Sequence, residues 1–169
     1  MSGSDARALS RSLLDLCRMR KLTIATAESC TGGLVAGALT DIPGSSDVID
    51  RGFVTYSNDA KRAMLGVKVT TLATFGAVSK ETATAMAIGA LEKANVDLAV
   101  SITGIAGPGG GLPGKPVGTT WIGLAAPDGK WARVLHFPGD REQNKAAAAV
   151  AALTLLLDYL QGKMDYNFS

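Results

Sequence analysis

Ser29 stands in the run Glu28-Ser-Cys-Thr-Gly-Gly33, between a β-branched apolar stretch and a stretch of small aliphatic residues. A serine at such a strand-to-helix junction can turn its hydroxyl and nearby backbone N–H groups toward one space, where an oxyanion or a phosphate would be held. The same residues allow a plainer reading, in which Ser29 or Thr31 caps the helix and Gly32 and Gly33 permit close packing. The run is not a GxxxxGK[ST] phosphate loop, a GxGxxG fingerprint or a GxSxG elbow. The chain has a single histidine, His136, within a stretch that reads as strand, where a structural role is the ordinary one. A serine nucleophile here therefore needs another base, and Lys61, at the end of Tyr56-Ser-Asn-Asp-Ala-Lys61, is the candidate. Such a lysine must be neutral part of the time, which takes a shift of about 3 pKa units, or roughly 4 kcal/mol, from desolvation and local positive charge. Its ordinary alternative is a solvated charge on a short helix.

Other side chains could enter the same cleft. The Tyr56 phenol can donate to a carbonyl or to the nucleophile, although a tyrosine at a strand end often only packs its ring. Thr103 falls where an apolar strand meets Gly104-Ile-Ala-Gly-Pro-Gly-Gly-Gly-Leu-Pro-Gly114, eleven residues with six glycines and two prolines. That loop can wrap a backbone nest around an anion. Lys115 and Arg141 can add charge to a phosphate, and Glu28 can orient the site. Asp41, Asp47 and Asp50 have no metal-binding spacing, and Cys17 and Cys30 form neither a CxxC pair nor a disulfide framework. No metal and no organic cofactor is expected.

The elements that must position these residues follow from periodicity and caps. A helix is expected over about Asp5 to Arg20, with Leu9, Leu13, Leu16 and Cys17 at helical spacing. Leu22 to Ala27 reads as a strand, Leu34 to Thr40 as a helix, and Val48 to Tyr56 as a second strand. Asn58-Asp59 is the expected cap of a short helix carrying Lys61, Met64 and Leu65. Gly66 to Gly76 reads as loop with a short helical turn. Ser79 caps a helix running to about Ala94 and stopping at Asn95. Leu98 to Thr103 is a strand buried on both faces. Val117 to Leu124 and Lys130 to Phe137 form a hairpin around an Asp128-Gly129 turn. Asp140 caps a long last helix with Val150, Leu153, Leu157 and Leu160 on one face. Strands alternating with helices and followed by a hairpin predict a three-layer α/β/α sandwich with a mixed, mostly parallel sheet. In such sheets ligands sit at the carboxyl ends of the strands, where both glycine-rich turns fall.

Composition agrees with one globular domain over residues 1–169. At 169 residues, 47% hydrophobic and 19% charged, the chain can bury about 70% of its unfolded surface without a disulfide or metal staple. The net charge of +2 comes from scattered Lys and Arg, so no basic stripe points to nucleic acid. Asp5, Arg7, Arg11 and Asp15 interrupt the N-terminal stretch where a signal peptide needs an apolar run. Ala146 to Leu157 falls short of the roughly 20 residues that span a bilayer. A soluble, cytoplasmic protein with no membrane partner is expected.

Several runs in order resemble the CinA C-terminal domain family: Thr26-Ala-Glu-Ser-Cys-Thr-Gly-Gly33, Gly52-Phe-Val-Thr-Tyr-Ser-Asn58 with Lys61, Gly76-Ala-Val-Ser79, and Thr103-Gly-Ile-Ala-Gly-Pro-Gly-Gly-Gly111 with Lys115-Pro-Val-Gly-Thr119. The resemblance covers nearly the whole chain, through Gly139-Asp-Arg141, and does not include the domain usually fused ahead of it in longer CinA proteins. It implies an amidohydrolase that converts nicotinamide mononucleotide to nicotinate mononucleotide and ammonia. In that family Ser or Thr precedes Gly-Ile-Ala-Gly-Pro, and Thr103 keeps the hydroxyl. Ser29 is then the nucleophile and Lys61 its partner, with Tyr56 and Thr103 beside them. Substrate contacts are expected from Glu28, Cys30, Thr31, Gly32, Gly33, Gly104, Ile105, Ala106 and Gly107, with Arg141 toward the phosphate. The resemblance leaves a competing class, a nucleotide-binding module without turnover in which Ser29 is only a cap. Phosphoryl transfer is disfavoured by the missing phosphate loop and metal carboxylates. A homodimer is expected from the domain's size.

Overall fold

The computed structural model describes residues 3–167; Met1, Ser2, Phe168 and Ser169 lie outside the described residues. In chain order the elements are α1 (Gly3–Arg20), β1 (Ile24–Glu28), α2 (Leu34–Thr40), β2 (Ile49–Val54), α3 (Asn58–Leu65), α4 (Val69–Phe75), α5 (Lys80–Ala94), β3 (Leu98–Gly104), β4 (Thr119–Ala126), β5 (Gly129–His136) and α6 (Arg141–Leu160). The five strands form one sheet in the order β2-β1-β3-β4-β5, with β2, β1 and β3 parallel and β4 and β5 antiparallel. Helices α1, α2 and α6 cover one face and α3, α4 and α5 the other, giving the three-layer mixed sandwich. Among the described residues no helix is long and apolar enough to cross a membrane.

Period-two alternation decides which side chain reaches which layer. In β3, Leu98, Val100 and Ile102 join the core under α1, α2 and α6, whereas Ala99 joins the core under α3, α4 and α5. Ser101 and Thr103 follow Ala99 and donate to carbonyls of Ala83 and Ala77 on that side. In β1, Ile24 faces the first layer, and Ala25 and Ala27 face the second. Glu28, the last strand residue, thus returns to the α2 side, and Ser29 is directed toward α3. Alanine at 25, 27 and 99 lets the α5 layer lie close to the sheet.

The caps explain the helix starts. Ser79 Oγ accepts from Thr82 N–H, and Asn95 ends α5 in the left-handed conformation. Asp140 and Gln143 form a reciprocal capping box at α6. Four local expectations need correction. The cap of α3 is Ser57, whose Oγ accepts from Ala60 N–H, so Asn58 and Asp59 lie inside the helix. Gly66 to Gly76, expected as loop with a short helical turn, holds the seven-residue helix α4, anchored by a single buried residue, Leu72, against α5; Thr70 and Thr71 mask its helical period. Neither Ser29 nor Thr31 caps α2: Gly33 occupies that position, left-handed and without a side-chain cap of its own. The hairpin turn is Pro127-Asp128, with Gly129 already paired to Ala126.

Gly89 on α5 is where α3 is held against the second layer. A Cβ there would lie 2.0 Å from the carbonyl oxygen of Leu65, the last residue of α3. Gly89→Ala is therefore expected to lower stability by about 1–3 kcal/mol in urea unfolding, against alanine's better helix propensity. An unchanged or raised midpoint would contradict this packing.

Candidate active site

The peptide of Ser29 is held from both sides. Its N–H donates to Ile102 O at 2.9 Å, and the preceding Glu28 carbonyl accepts from Thr55 N–H at 2.8 Å. This places Ser29 in the crevice beyond the carboxyl ends of β1 and β3. For a 2-1-3-4-5 strand order, that is where the chain's crossovers part to opposite faces and ligands bind. Lys61, one turn into α3, points back under the sheet end. Its Nζ lies 3.0 Å from Ser29 Oγ and donates to Thr55 O at 2.9 Å. The side chain is only 1% exposed, and among the described residues no carboxylate is within ion-pair distance of it. Burial pushes the Lys61 amine below its ordinary value of 10.5, with Cys30 acting weakly in the other direction. A neutral amine with one hydrogen on Thr55 O retains a lone pair able to accept the Ser29 proton. The solvated charge that is a lysine's usual state does not occur here.

Cys30 follows Ser29 in the same pocket, but burial raises its thiol to about 11, so it stays protonated at neutral pH and is a poor nucleophile. Thr103 Oγ1 spends its one hydrogen on Ala77 O at 2.8 Å and can therefore only accept from a ligand. Tyr56 OH accepts from Arg141 Nη2 at 2.9 Å, leaving its own hydrogen to donate. Arg141 Nη1 donates to Gly107 O at 2.9 Å. The buried Asn144 ties the start of α6 to the glycine-rich loop, donating from Nδ2 to Ala106 O and Gly139 O, both at 3.0 Å.

The pocket so formed holds about 190 Å³ and is lined by Ser29, Cys30, Tyr56, Lys61, Thr103, Gly104, Ala106 and Arg141 from the expected set. Asn58, Ala77 and Val78 complete the lining and were not among the expected residues. Asn58 was findable, since it precedes Lys61 by three residues on one helix and so shares its face. Ala77 and Val78 carry no chemical signal in their types. Glu28, Thr31, Gly32, Gly33, Ile105 and Gly107 lie outside this lining. Glu28 is fully buried on the α2 side. Its carboxylate accepts from Thr31 Oγ1 at 2.6 Å, from the N–H groups of Val35 and Ala36 at 3.0 Å, and from that of Gly33 at 3.2 Å. The first-turn donors of α2 are thereby occupied and are not open to an oxyanion or phosphate. The N–H groups of Cys30 and Thr31, which follow Ser29 in the chain, take no part in that cap. A larger groove of about 420 Å³ between α1, α2 and α6 is mostly apolar and contains no nucleophile–base pair. Among the described residues no group of three or more His, Cys, Asp or Glu side chains could hold a metal ion.

Fold and site together define an α/β protein with a buried serine–lysine pair at the sheet's switch point. The chain belongs to the CinA C-terminal domain family, whose model matches residues 6–160. It is 50% identical over 163 residues to a protein of Escherichia coli strain K12 named nicotinamide-nucleotide amidohydrolase PncC, covering 95% of this chain and 99% of that one. It is 53% identical over 150 residues to a CinA-like protein of Chloroherpeton thalassium, covering 86% of this chain but 36% of that longer protein. Other long relatives are similar, and the chain spans 40% of one from Symbiobacterium thermophilum. Among solved structures, the competence/damage inducible protein CihA of Agrobacterium tumefaciens superposes with a TM-score of 0.89 at 48% identity, covering 93% of this chain and 96% of that one. A CinA superfamily protein of Klebsiella pneumoniae gives 0.90 at 36% identity, covering 93% and 98%.

The lowered basicity of Lys61 also bears on stability. Below its folded-state value the buried amine is charged and costs stability; as pH rises toward 10.5, where the unfolded chain also loses that proton, the cost disappears. Thermal melts of Lys61→Met against the parent are expected to shift in the parent's favour between neutral pH and 10.5. A difference independent of pH would contradict a depressed Lys61.

Proposed function

We propose that this chain is an amidohydrolase that converts nicotinamide mononucleotide to nicotinate mononucleotide and ammonia through Ser29 and Lys61. The observation that carries the reading is the 3.0 Å approach of Lys61 Nζ to Ser29 Oγ in a buried pocket whose lining, among the described residues, holds no carboxylate. The relative named for nicotinamide-nucleotide amidohydrolysis, matched along nearly its full length, supports the substrate.

The residues then divide the work. Ser29 Oγ attacks the carboxamide carbon while its proton passes to Lys61 Nζ. The resulting oxyanion is stabilised by the N–H groups of Cys30 and Thr31, worth about 3 kcal/mol per donor in comparable sites. Thr103, able only to accept, takes a hydrogen bond from the substrate NH2 and turns the leaving group toward Lys61. The C–N bond breaks as Lys61 returns the proton to nitrogen, and ammonia departs from a Ser29 acyl ester. Water then attacks the ester, giving its proton to Lys61; the acyl C–O bond breaks and Ser29 recovers the proton.

The pocket is smaller than the roughly 300–1,000 Å³ that encloses a whole small-molecule ligand. The carboxamide-bearing ring occupies it, and the ribose and phosphate lie at the mouth, where Tyr56, Asn58 and Arg141 stand. Arg141 retains donors beyond the two it spends on Tyr56 and Gly107 and is the residue placed for the phosphate. We further place the protein in the cytoplasm, in keeping with two free cysteines, as a homodimer, the common assembly of such domains.

The test is ammonia release from nicotinamide mononucleotide by the pure protein. Ser29→Ala is expected to reduce release to background while retaining substrate binding, and turnover near that of the parent would refute the nucleophile. The parent's kcat/KM is expected to rise with pH along an acid limb whose apparent pKa lies below 10.5. Thr103→Val is expected to lower kcat/KM about tenfold or more with Thr103→Ser near normal, since an unpaired substrate NH2 costs about 1–3 kcal/mol. Equal rates in both variants would remove Thr103 from leaving-group recognition.

A further inference from the structure

The chain spends a buried charge on something other than chemistry. Glu28 is adjacent to Ser29, yet strand alternation puts its carboxylate on the opposite face of the sheet from Lys61. It therefore cannot serve as base or proton relay for Ser29. Its two oxygens instead gather the turn between β1 and α2. Oε1 accepts from Thr31 Oγ1 and from the N–H groups of Gly33 and Val35; Oε2 accepts from Ala36 N–H, with Thr26 Oγ1 at 3.4 Å. The backbone of Glu28 is simultaneously paired with Val54 on one side and Ile102 on the other. Residues 29–33 are thus suspended between a strand end fixed by two neighbours and a helix start fixed by one carboxylate. Ser29 and its adjacent N–H groups have no independent freedom to drift from Lys61.

We propose that Glu28 is a positioning residue for the hydrolysis: it holds the 29–33 turn so that Ser29 Oγ and the N–H groups of Cys30 and Thr31 are preorganised on the Lys61 side. The assignment rests on the function proposed above. It accounts for a feature that catalysis by Ser29 and Lys61 leaves unused, a fully buried carboxylate saturated by donors from one turn. A lost acceptor lets the turn shift by up to about 1 Å, a misplacement that costs about a hundredfold in rate. The loss falls on kcat, because the ring and phosphate contacts come from other segments.

The experiment compares Glu28→Gln and Thr31→Val with the parent, and uses Leu153→Ala as a control. Glu28→Gln keeps an acceptor for part of the cluster but sets an amide NH2 against a backbone donor. Thr31→Val removes the shortest contact and leaves the carboxylate. Leu153→Ala opens the α6 core away from the site. Each protein is assayed for kcat and KM on nicotinamide mononucleotide, for melting temperature, and for the rate at which a fluorophosphonate reagent labels Ser29, where the Oγ–P bond forms and fluoride leaves. The expected result is a kcat about a hundredfold lower in Glu28→Gln and about tenfold lower in Thr31→Val, with KM within twofold and labelling slowed in parallel. Leu153→Ala should lose melting temperature while keeping kcat. Should Glu28→Gln fail to fold, Thr31→Val carries the test alone. Parent-like kcat and labelling in the folded variants, whatever their melting temperatures, would overturn the assignment. A parent that is labelled at Ser29 but releases no ammonia would sink the substrate reading, and the labelling rates would still decide the role of Glu28.

Discussion

A lysine amine kept away from water is what the remainder of this site is arranged around. Lys61 is nearly unexposed and has no carboxylate partner among the described residues; its anchors are a backbone carbonyl at 2.9 Å and the Ser29 hydroxyl at 3.0 Å. Exposed lysines keep their proton near neutral pH because water solvates the charge; here burial shifts the balance toward the free amine. The cost is carried by the fold, through the seating of α3 on α5 at Gly89 and the cap at Ser57. A carboxylate beside Lys61 would stabilise its charged form. The acidic residue next to Ser29 in sequence is Glu28, and the sheet stands between its carboxylate and Lys61.

That separation comes from nothing more than strand periodicity. Successive residues of β1 point to opposite faces, so a glutamate and a serine next to each other in sequence serve different layers. One ties the strand to α2, and the other meets a side chain from α3. Because Glu28 already occupies the donors at the start of α2, that helix end is unavailable to a substrate anion. At the other rim of the pocket, Arg141 links Tyr56 to the glycine-rich loop. The rim combines three distant segments: the end of β2, the loop after β3 and the start of α6.

Much of this was legible in sequence where the signal is local. The Ser79 and Asp140 caps, the alternation of strands and helices and the closing hairpin each depend on a few neighbouring residues. The helix α4 exceeds the short helical turn expected there because its seven residues have one buried anchor and three threonines, so packing against α5 rather than periodicity creates it. Sequence order places Glu28 beside Ser29 as a residue that can orient the site, but only the strand's phase tells which face its carboxylate takes, and it lies outside the pocket lining. Asn58 shares the face of Lys61 but was read as a cap, the position Ser57 takes. The approach of Ser29 and Lys61, 32 residues apart, was expected from chemical need and family resemblance; residue spacing alone favoured a solvated lysine.

The proton on Lys61 is the quantity to measure. Side-chain NMR of protein carrying isotope-labelled lysine, with Lys61→Met to assign its resonance, follows the titration of that amine directly. The Lys61 signal is expected to titrate below 10.5. A Lys61 resonance that titrates at or above 10.5 would contradict a neutral amine beside Ser29.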